Sequence, residues 1–222
     1  MKLEVIAADI KDIELINKTN ADRIEFCADL QTGGGGLTPT YEDIKKAGEI
    51  SKLPVNVMLR PTDRDFYYTE EEFQLMLKDC EYMATTKINA IVVGIITPEG
   101  EINMERMKKI MEKAGNKKVT FHKAFDEVKD LKKALKDLEK LGVDTVLTSG
   151  GGNINEKIEV LKELKGYTNV TILAGGGVSF ENINKVKDVV DQVHVGTCVR
   201  QNSNWFGEVN VDQVNKMKAL VK

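Results

Sequence analysis

The chain has two histidines among 222 residues, and both sit near the ends of strand-like runs. In V-T-F-H-K-A-F, Val119 and Phe121 share one face, and Thr120 and His122 share the other, because side chains alternate along an extended chain. In Q-V-H-V-G the same alternation groups Val193 with Val195 and His194 with Gly196. Residues 22–27 place Ile24 and Phe26 on one side and Arg23, Glu25 and Cys27 on the other. Residues 55–60 separate Val55, Val57 and Leu59 from Asn56, Met58 and Arg60. Imidazole and carboxylate side chains are acid–base groups, and guanidinium grips anions. Glu25, Arg60 and His122, each ending its strand, are therefore candidate catalytic residues, with His122 as general acid or base.

Other residues fit two roles. Asp126 lies four positions after His122 and is either a catalytic partner or the cap of the next helix. Glu4 and Arg23, early in their strands, are expected to be a buried ion pair, and His194 a core or supporting histidine. Gly175, Gly176 and Gly177, with Gly196 after the last strand, could present backbone N–H groups to an anion or phosphate. Thr148 and Ser149 would add hydroxyls. The plainer reading is turn glycines that need positive φ. Gly33–Gly36 reads as a flexible lid, and Phe66, Tyr67 and Tyr68 as a cover for a ligand or for the barrel end.

These residues need a scaffold that turns one strand face inward. Strand patterns at 3–8, 22–27, 54–60, 89–95, 118–123, 144–148, 169–174 and 190–195 alternate with helical ones. The helices are expected near 10–20, 40–51, 69–87, 103–115, 129–141, 154–166, 179–187 and 209–221. Eight such units without a break in composition predict one α/β domain over 1–222, a (β/α)8 TIM barrel with short loops. The alternative is a doubly wound parallel sheet. It ranks second because its strands, covered on both faces, should not carry inward charges. The longer loops, 28–39, 61–68 and 197–208, all follow strands, where a barrel builds its active face. Thr69 with Glu72 and Thr40 with Asp43 mark helix starts, and Ser179 is expected to cap another.

Composition narrows the function class. A hydrophobic fraction of 41% and a charged fraction of 30% describe an ordinary globular protein. A net charge of −3 argues against a nucleic-acid partner. The N-terminal stretch meets Asp9 too early for a signal-peptide core, and no apolar run is long enough to span a membrane. Cys27, Cys80 and Cys198 form neither a disulfide framework nor a zinc spacing. A cytoplasmic protein with a small anionic ligand is expected, and a homo-oligomer stays an open alternative.

Several motifs together resemble the CutC family: A-D-R-I-E-F-C (21–27), G-G-L-T-P (35–39), L-R-P…D-F-Y-Y-T (59–69), T-F-H-K-A-F-D (120–126), V-L-T-S-G (146–150) and A-G-G-G-V (174–178). The resemblance covers roughly residues 1–200. It implies a TIM barrel, a cytoplasmic location and a link to copper homeostasis, with copper(I) as the bound metal and Cys27 as its candidate ligand. Relatives often carry a cysteine where this chain has Ile6, and an arginine where it has Lys123. Copper(I) favours thiolate and thioether donors, so Cys27 and the neighbouring Met58 would have to supply most of the site. Read by the residues themselves, the chain looks more like an orphan lyase, isomerase or hydrolase for a small anionic or phosphorylated molecule.

Overall fold

The computed structural model describes residues 1–30 and 36–221; Gly33–Gly35 of the expected lid lie outside them. Eight parallel strands close into one barrel. They are β1 (Lys2–Ala7), β2 (Arg23–Phe26), β3 (Val55–Met58), β4 (Ala90–Val93), β5 (Lys118–Phe121), β6 (Thr145–Thr148), β7 (Thr171–Ala174) and β8 (Gln192–Val195). β1 pairs with both β2 and β8, so no strand is left as an edge, and the open-sheet alternative is excluded.

Between and after the strands run α1 (Ile10–Ile16), α2 (Tyr41–Ile50), α3 (Glu70–Thr85), α4 (Met104–Ala114), α5 (Leu131–Leu141), α6 (Ile158–Leu164), α7 (Ile183–Val186) and α8 (Val211–Leu220). The Thr69–Glu72 pair forms a full capping box, and Thr40 caps α2 through the Asp43 amide. Asp130 starts α5, and Gly142 ends it at φ +79°. α1, α6 and α7 are shorter than their patterns suggest. In α7 the Ser179 carbonyl accepts from Ile183, but the residue before the first helical position is Asn182. Its side chain bonds back to Ser179 N and to the Gly177 carbonyl. Those bonds spend the local polar groups on loop geometry instead of a longer helix.

The outward faces of the strands pack on the helices through residues such as Val5, Ile24, Val57, Phe121 and Val193. A small second cluster of Ile6, Cys27, Leu30, Met58 and Val92 lies inside the barrel. Below it the interior is polar. The Glu4 carboxylate receives Arg23 Nε, Asn56 Nδ2 at 3.1 Å and His194 Nδ1 at 2.9 Å, and Asn56 Oδ1 accepts from Asn89 at 2.7 Å. Glu4 and Arg23 are thus the structural pair that their early strand positions imply.

Removing one member of a buried pair strands the other charge, at a cost of about 3–5 kcal/mol. Arg23→Met should therefore destabilise the barrel by about that amount in urea denaturation, and Arg23→Met combined with Glu4→Gln should recover a large part of it. Equal destabilisation in the single and double variants would contradict the pairing.

Candidate active site

A cavity of about 550 Å³ opens at the C-terminal ends of the strands. Glu25, Arg60, His122, Asp126 and His194 all border it. The three strand-ending candidates are therefore brought together, and His194 joins them from the floor of the barrel.

Glu25 is 1% exposed and lies one position above Arg23 on the inward face of β2. Its Oε2 accepts from the Cys27 thiol at 3.6 Å and lies 3.9 Å from His194 Nε2, while Oε1 has no hydrogen-bond partner. Glu4 has already engaged Arg23. Burial therefore dominates at Glu25 and pushes its carboxyl up to about 7, although the His194 charge opposes it. At Glu4 burial is outweighed by Arg23 and His194, and the carboxyl falls to about 2. For His194 burial alone would lower the value, but Glu25 and Glu4 outweigh it and raise it. Two neighbouring carboxylates are thereby driven in opposite directions.

His122 stands where β5 ends, and its Nδ1 accepts the backbone N–H of Ala124 at 3.1 Å. A ring nitrogen that accepts a hydrogen bond carries no hydrogen of its own. The neutral ring consequently holds its hydrogen on Nε2, which has no partner among the described residues. Burial, reinforced by the Arg60 charge, lowers His122 to about 3. Burial thus favours an uncharged ring with Nε2–H as its donor. Gly94, at the end of β4, makes this possible, since a Cβ there would come within 2.5 Å of the imidazole. Phe66 covers the same corner, with its ring 4.9 Å from the His122 ring and 4.6 Å from the Arg60 guanidinium carbon. Of its aromatic neighbours, Tyr68 is buried, whereas Tyr67 is exposed.

Asp126 is neither a free catalytic carboxylate nor a helix cap. It accepts from the Thr148 hydroxyl, the Ser149 amide at 3.1 Å, the Ser149 hydroxyl at 2.8 Å and the Gly151 amide at 3.0 Å. Lys123 Nζ adds a fifth bond at 2.8 Å. Burial alone would raise this carboxyl, but Lys123 and the loop donors outweigh it and lower it. The donors of Thr148 and Ser149 that might have met a ligand anion are thus taken by an internal one. Gly175 is also committed: its amide donates to Thr148 O at 3.0 Å, and a Cβ would sit 2.5 Å from Leu147. Gly176 and Gly177 border the cavity, at φ +79° and +122°. Gly196 borders it too, but its missing side chain makes room for Trp205, whose ring would be 2.4 Å from a Cβ.

Trp205 and Lys123 are cavity residues that the strand patterns did not single out. Trp205 is the one tryptophan of the chain and lies in the long loop after β8. That placement was the available signal, because aromatic residues on loops over a barrel mouth commonly meet ligands. Arg200 holds this loop against α1 through Asp12 and against Ile6 O at 3.2 Å, and stacks 5.3 Å from the Trp205 ring.

Among the described residues, Cys27 and Met58 are the soft donors of the barrel interior. Cys27 is fully buried, and burial with the Glu25 charge pushes its thiol well up. Met58 shares its apolar cluster, but Cys80 and Cys198 pack in the outer layer. Copper(I) would have to displace the Cys27 proton that burial retains and would find one thioether beside it. Glu4, Glu25 and His194 approach within 4.8 Å of one another, as a harder metal would require. Both Glu4 oxygens, however, are occupied by Arg23, Asn56 and His194.

A closed (β/α)8 barrel with a buried acid–base pocket at its C-terminal mouth defines the class. The chain belongs to the CutC family, whose model matches residues 1–199. A family protein CutC from Klebsiella pneumoniae is 42% identical over 184 residues, covering 82% of this chain and 73% of that one. A CutC crystal structure from Streptococcus agalactiae, described as a copper homeostasis protein, superposes with TM-score 0.83 at 32% identity, covering 89% of this chain and 98% of that one. A thiamine phosphate pyrophosphorylase from Pyrococcus furiosus shares the fold at TM-score 0.67 and 14% identity, covering 99% and 95%. No helix among the described residues is long and apolar enough to cross a membrane.

Between about pH 4.5 and 7 the folded chain holds a Glu25 proton that the unfolded chain releases. This site therefore costs progressively more stability as pH rises through that window. Glu25→Gln should be more stable than wild type above pH 7 by about 1–3 kcal/mol, with the gain shrinking towards pH 4.5. Urea denaturation across that range measures it; a pH-independent difference would contradict the raised value.

Proposed function

We propose that this CutC-family chain is an enzyme that moves a proton on a small anionic molecule at the barrel mouth. The observation that carries the reading is the pairing, around one cavity, of two buried polar atoms without partners: Glu25 Oε1 and His122 Nε2. Native structures rarely leave such atoms unsatisfied without a reason. Ionised Glu25 is the base. It takes a proton from a carbon beside a carbonyl, and the C–H electron pair passes into the new C=C bond as the carbonyl oxygen becomes an enolate oxygen. The His122 Nε2–H and the Arg60 guanidinium stabilise that developing charge. In an α-hydroxy carbonyl compound, moving the hydroxyl proton to the enolate oxygen while the carbon proton returns to the former carbonyl carbon gives an isomerase; re-forming the carbonyl with a new C=C bond, as a group on the next carbon leaves with its bonding pair and takes up a proton, gives a lyase. His194, between Glu25 and Glu4, positions the base and tunes its charge. Three separate free cysteines suit a reducing, cytoplasmic compartment.

The test begins with a thermal-shift screen of small phosphorylated and carboxylated hydroxy-carbonyl compounds, because a site-specific binder raises the melting temperature. Each binder is then followed by NMR for uptake of solvent deuterium at carbon. Wild type should catalyse exchange, and Glu25→Gln should lose it by about 10²–10⁴-fold while still binding. Arg60→Met should lose binding yet stay folded. Exchange that survives in Glu25→Gln would sink the proposal.

The copper role attached to the family is the competing reading, and the donor set argues against it. Titration against a strong copper(I) chelator should strip the metal from wild type and from Cys27→Ser alike. Stoichiometric retention by wild type alone would restore Cys27 as a ligand.

A further inference from the structure

The cavity has a second charged end that proton transfer does not use. Lys123 borders the cavity with a half-exposed side chain. Its ammonium is fixed by Asp126 at 2.8 Å and by the Ser149 hydroxyl at 3.1 Å. An ammonium has three N–H bonds, so one is left to donate. It lies directly over Gly176: a Cβ on that residue would fall 2.3 Å from Nζ and 3.0 Å from Cε. Only glycine gives the lysine this position, and the positive φ of Gly176 is also one that glycine adopts without strain. The amides of Gly176 and Gly177 donate to no acceptor among the described residues, whereas the Gly175 amide is held in the sheet. Asp126 pairs with Lys123, and its oxygens also take four neutral donors, so the carboxylate is turned into its own loop while the ammonium borders the cavity.

We propose that the ligand is a phosphomonoester, with its phosphate beside Lys123 Nζ at the Gly176–Gly177 rim of the cavity and its other end at Arg60 and His122. The phosphate seat stands on the lysine and the glycines; only the placing of a reactive carbonyl at the other end rests on the proton-transfer reading. A tetrahedral dianion accepts from several directions at once, as a point-charge ammonium beside a glycine rim requires, while a planar carboxylate suits a guanidinium fork. Arg60 supplies that fork, stacked on Phe66 in the corner that holds His122. The two ends therefore differ in kind, and they orient an unsymmetrical molecule. A cavity of about 550 Å³ accommodates a phosphorylated carbonyl compound of sugar size.

Inorganic phosphate is the probe, followed by ³¹P NMR line broadening on the full chain. Wild type should bind it, and Lys123→Met should weaken binding about tenfold or more. Lys123→Arg should stay within a few-fold. Gly176→Ala should match Lys123→Met, because its methyl group takes the ammonium's place. Lys162→Met removes an exposed lysine on α6 and should change nothing. Circular dichroism establishes that each variant is folded. The proposal is overturned if wild type fails to bind phosphate, if Lys123→Met binds like wild type, or if Lys162→Met loses as much as Lys123→Met. Binding lost in Arg60→Met but kept in Lys123→Met would also overturn it, by moving the anion to the other end. Neither result touches deuterium exchange at Glu25, which decides the proton-transfer reading on its own.

Discussion

The barrel floor holds two carboxylates, one arginine and one histidine out of water, and the site above depends on how they share charge. Isolated buried ions cost several kcal/mol each, so such a group must pair or give up its charge. Glu4 takes the pairing: Arg23, Asn56 and His194 all donate to it. Glu25, one turn of the pleat higher, is left with a weak thiol donor and a histidine at 3.9 Å. Its carboxyl consequently titrates near neutrality. A stronger cation beside Glu25 would hold it ionised at lower pH and make it a weaker base. The strength of the Glu4 pair and the reactivity of Glu25 are two sides of one charge distribution.

The loops above that floor hold the rest of the site by small exclusions. Gly94 vacates the volume that His122 fills, and Gly196 vacates the volume that Trp205 fills. Asp126 closes the loop after β6 by supplying an internal anion to amides and hydroxyls that would otherwise want one. With Ser149 and Gly151 engaged in that loop, the neighbouring glycines after β7 and Lys123 offer donors to an external anion. Glycine runs that look alike in sequence both border the cavity, but the one after β6 gives its Ser149 and Gly151 amides to Asp126.

Much of the architecture was legible because period-two alternation is a local property. Val55, Val57 and Leu59 face the helices for the same reason that Arg60 faces the barrel mouth, and six residues suffice to read it. The same argument placed Glu25 and His122. It could not weigh His194, whose importance comes from Glu4, 190 positions away, and from Glu25. Nor could it see that Asp126 would bond to residues of the next strand's loop, or that Lys123 would lie over Gly176. Those facts belong to the closure of the barrel, which brings β8 beside β1 and the loops after β5, β6 and β7 together. The short α6 and α7 fell outside the pattern for another reason. Asn182 engages Ser179, Asn155 and the Gly177 carbonyl instead of letting the chain coil earlier.

The roles of Glu25 and His122 separate because burial acts on an acid and on a base with opposite sign. Desolvation disfavours whichever form is charged. It therefore raises the carboxyl to about 7 and lowers the imidazole to about 3. Near neutral pH the first is poised to take up or release a proton, and the second stays uncharged with its hydrogen fixed on Nε2 by the Ala124 amide. A charged imidazolium would bind an anion more strongly, but it would also stabilise the ground state of an anionic ligand. A neutral donor gains most when negative charge develops on the atom it faces, which is where catalysis needs the gain. Arg60, beside the same Phe66 ring, supplies the fixed positive charge and at the same time helps to keep His122 neutral. Its guanidinium thus enforces the division of labour that burial begins.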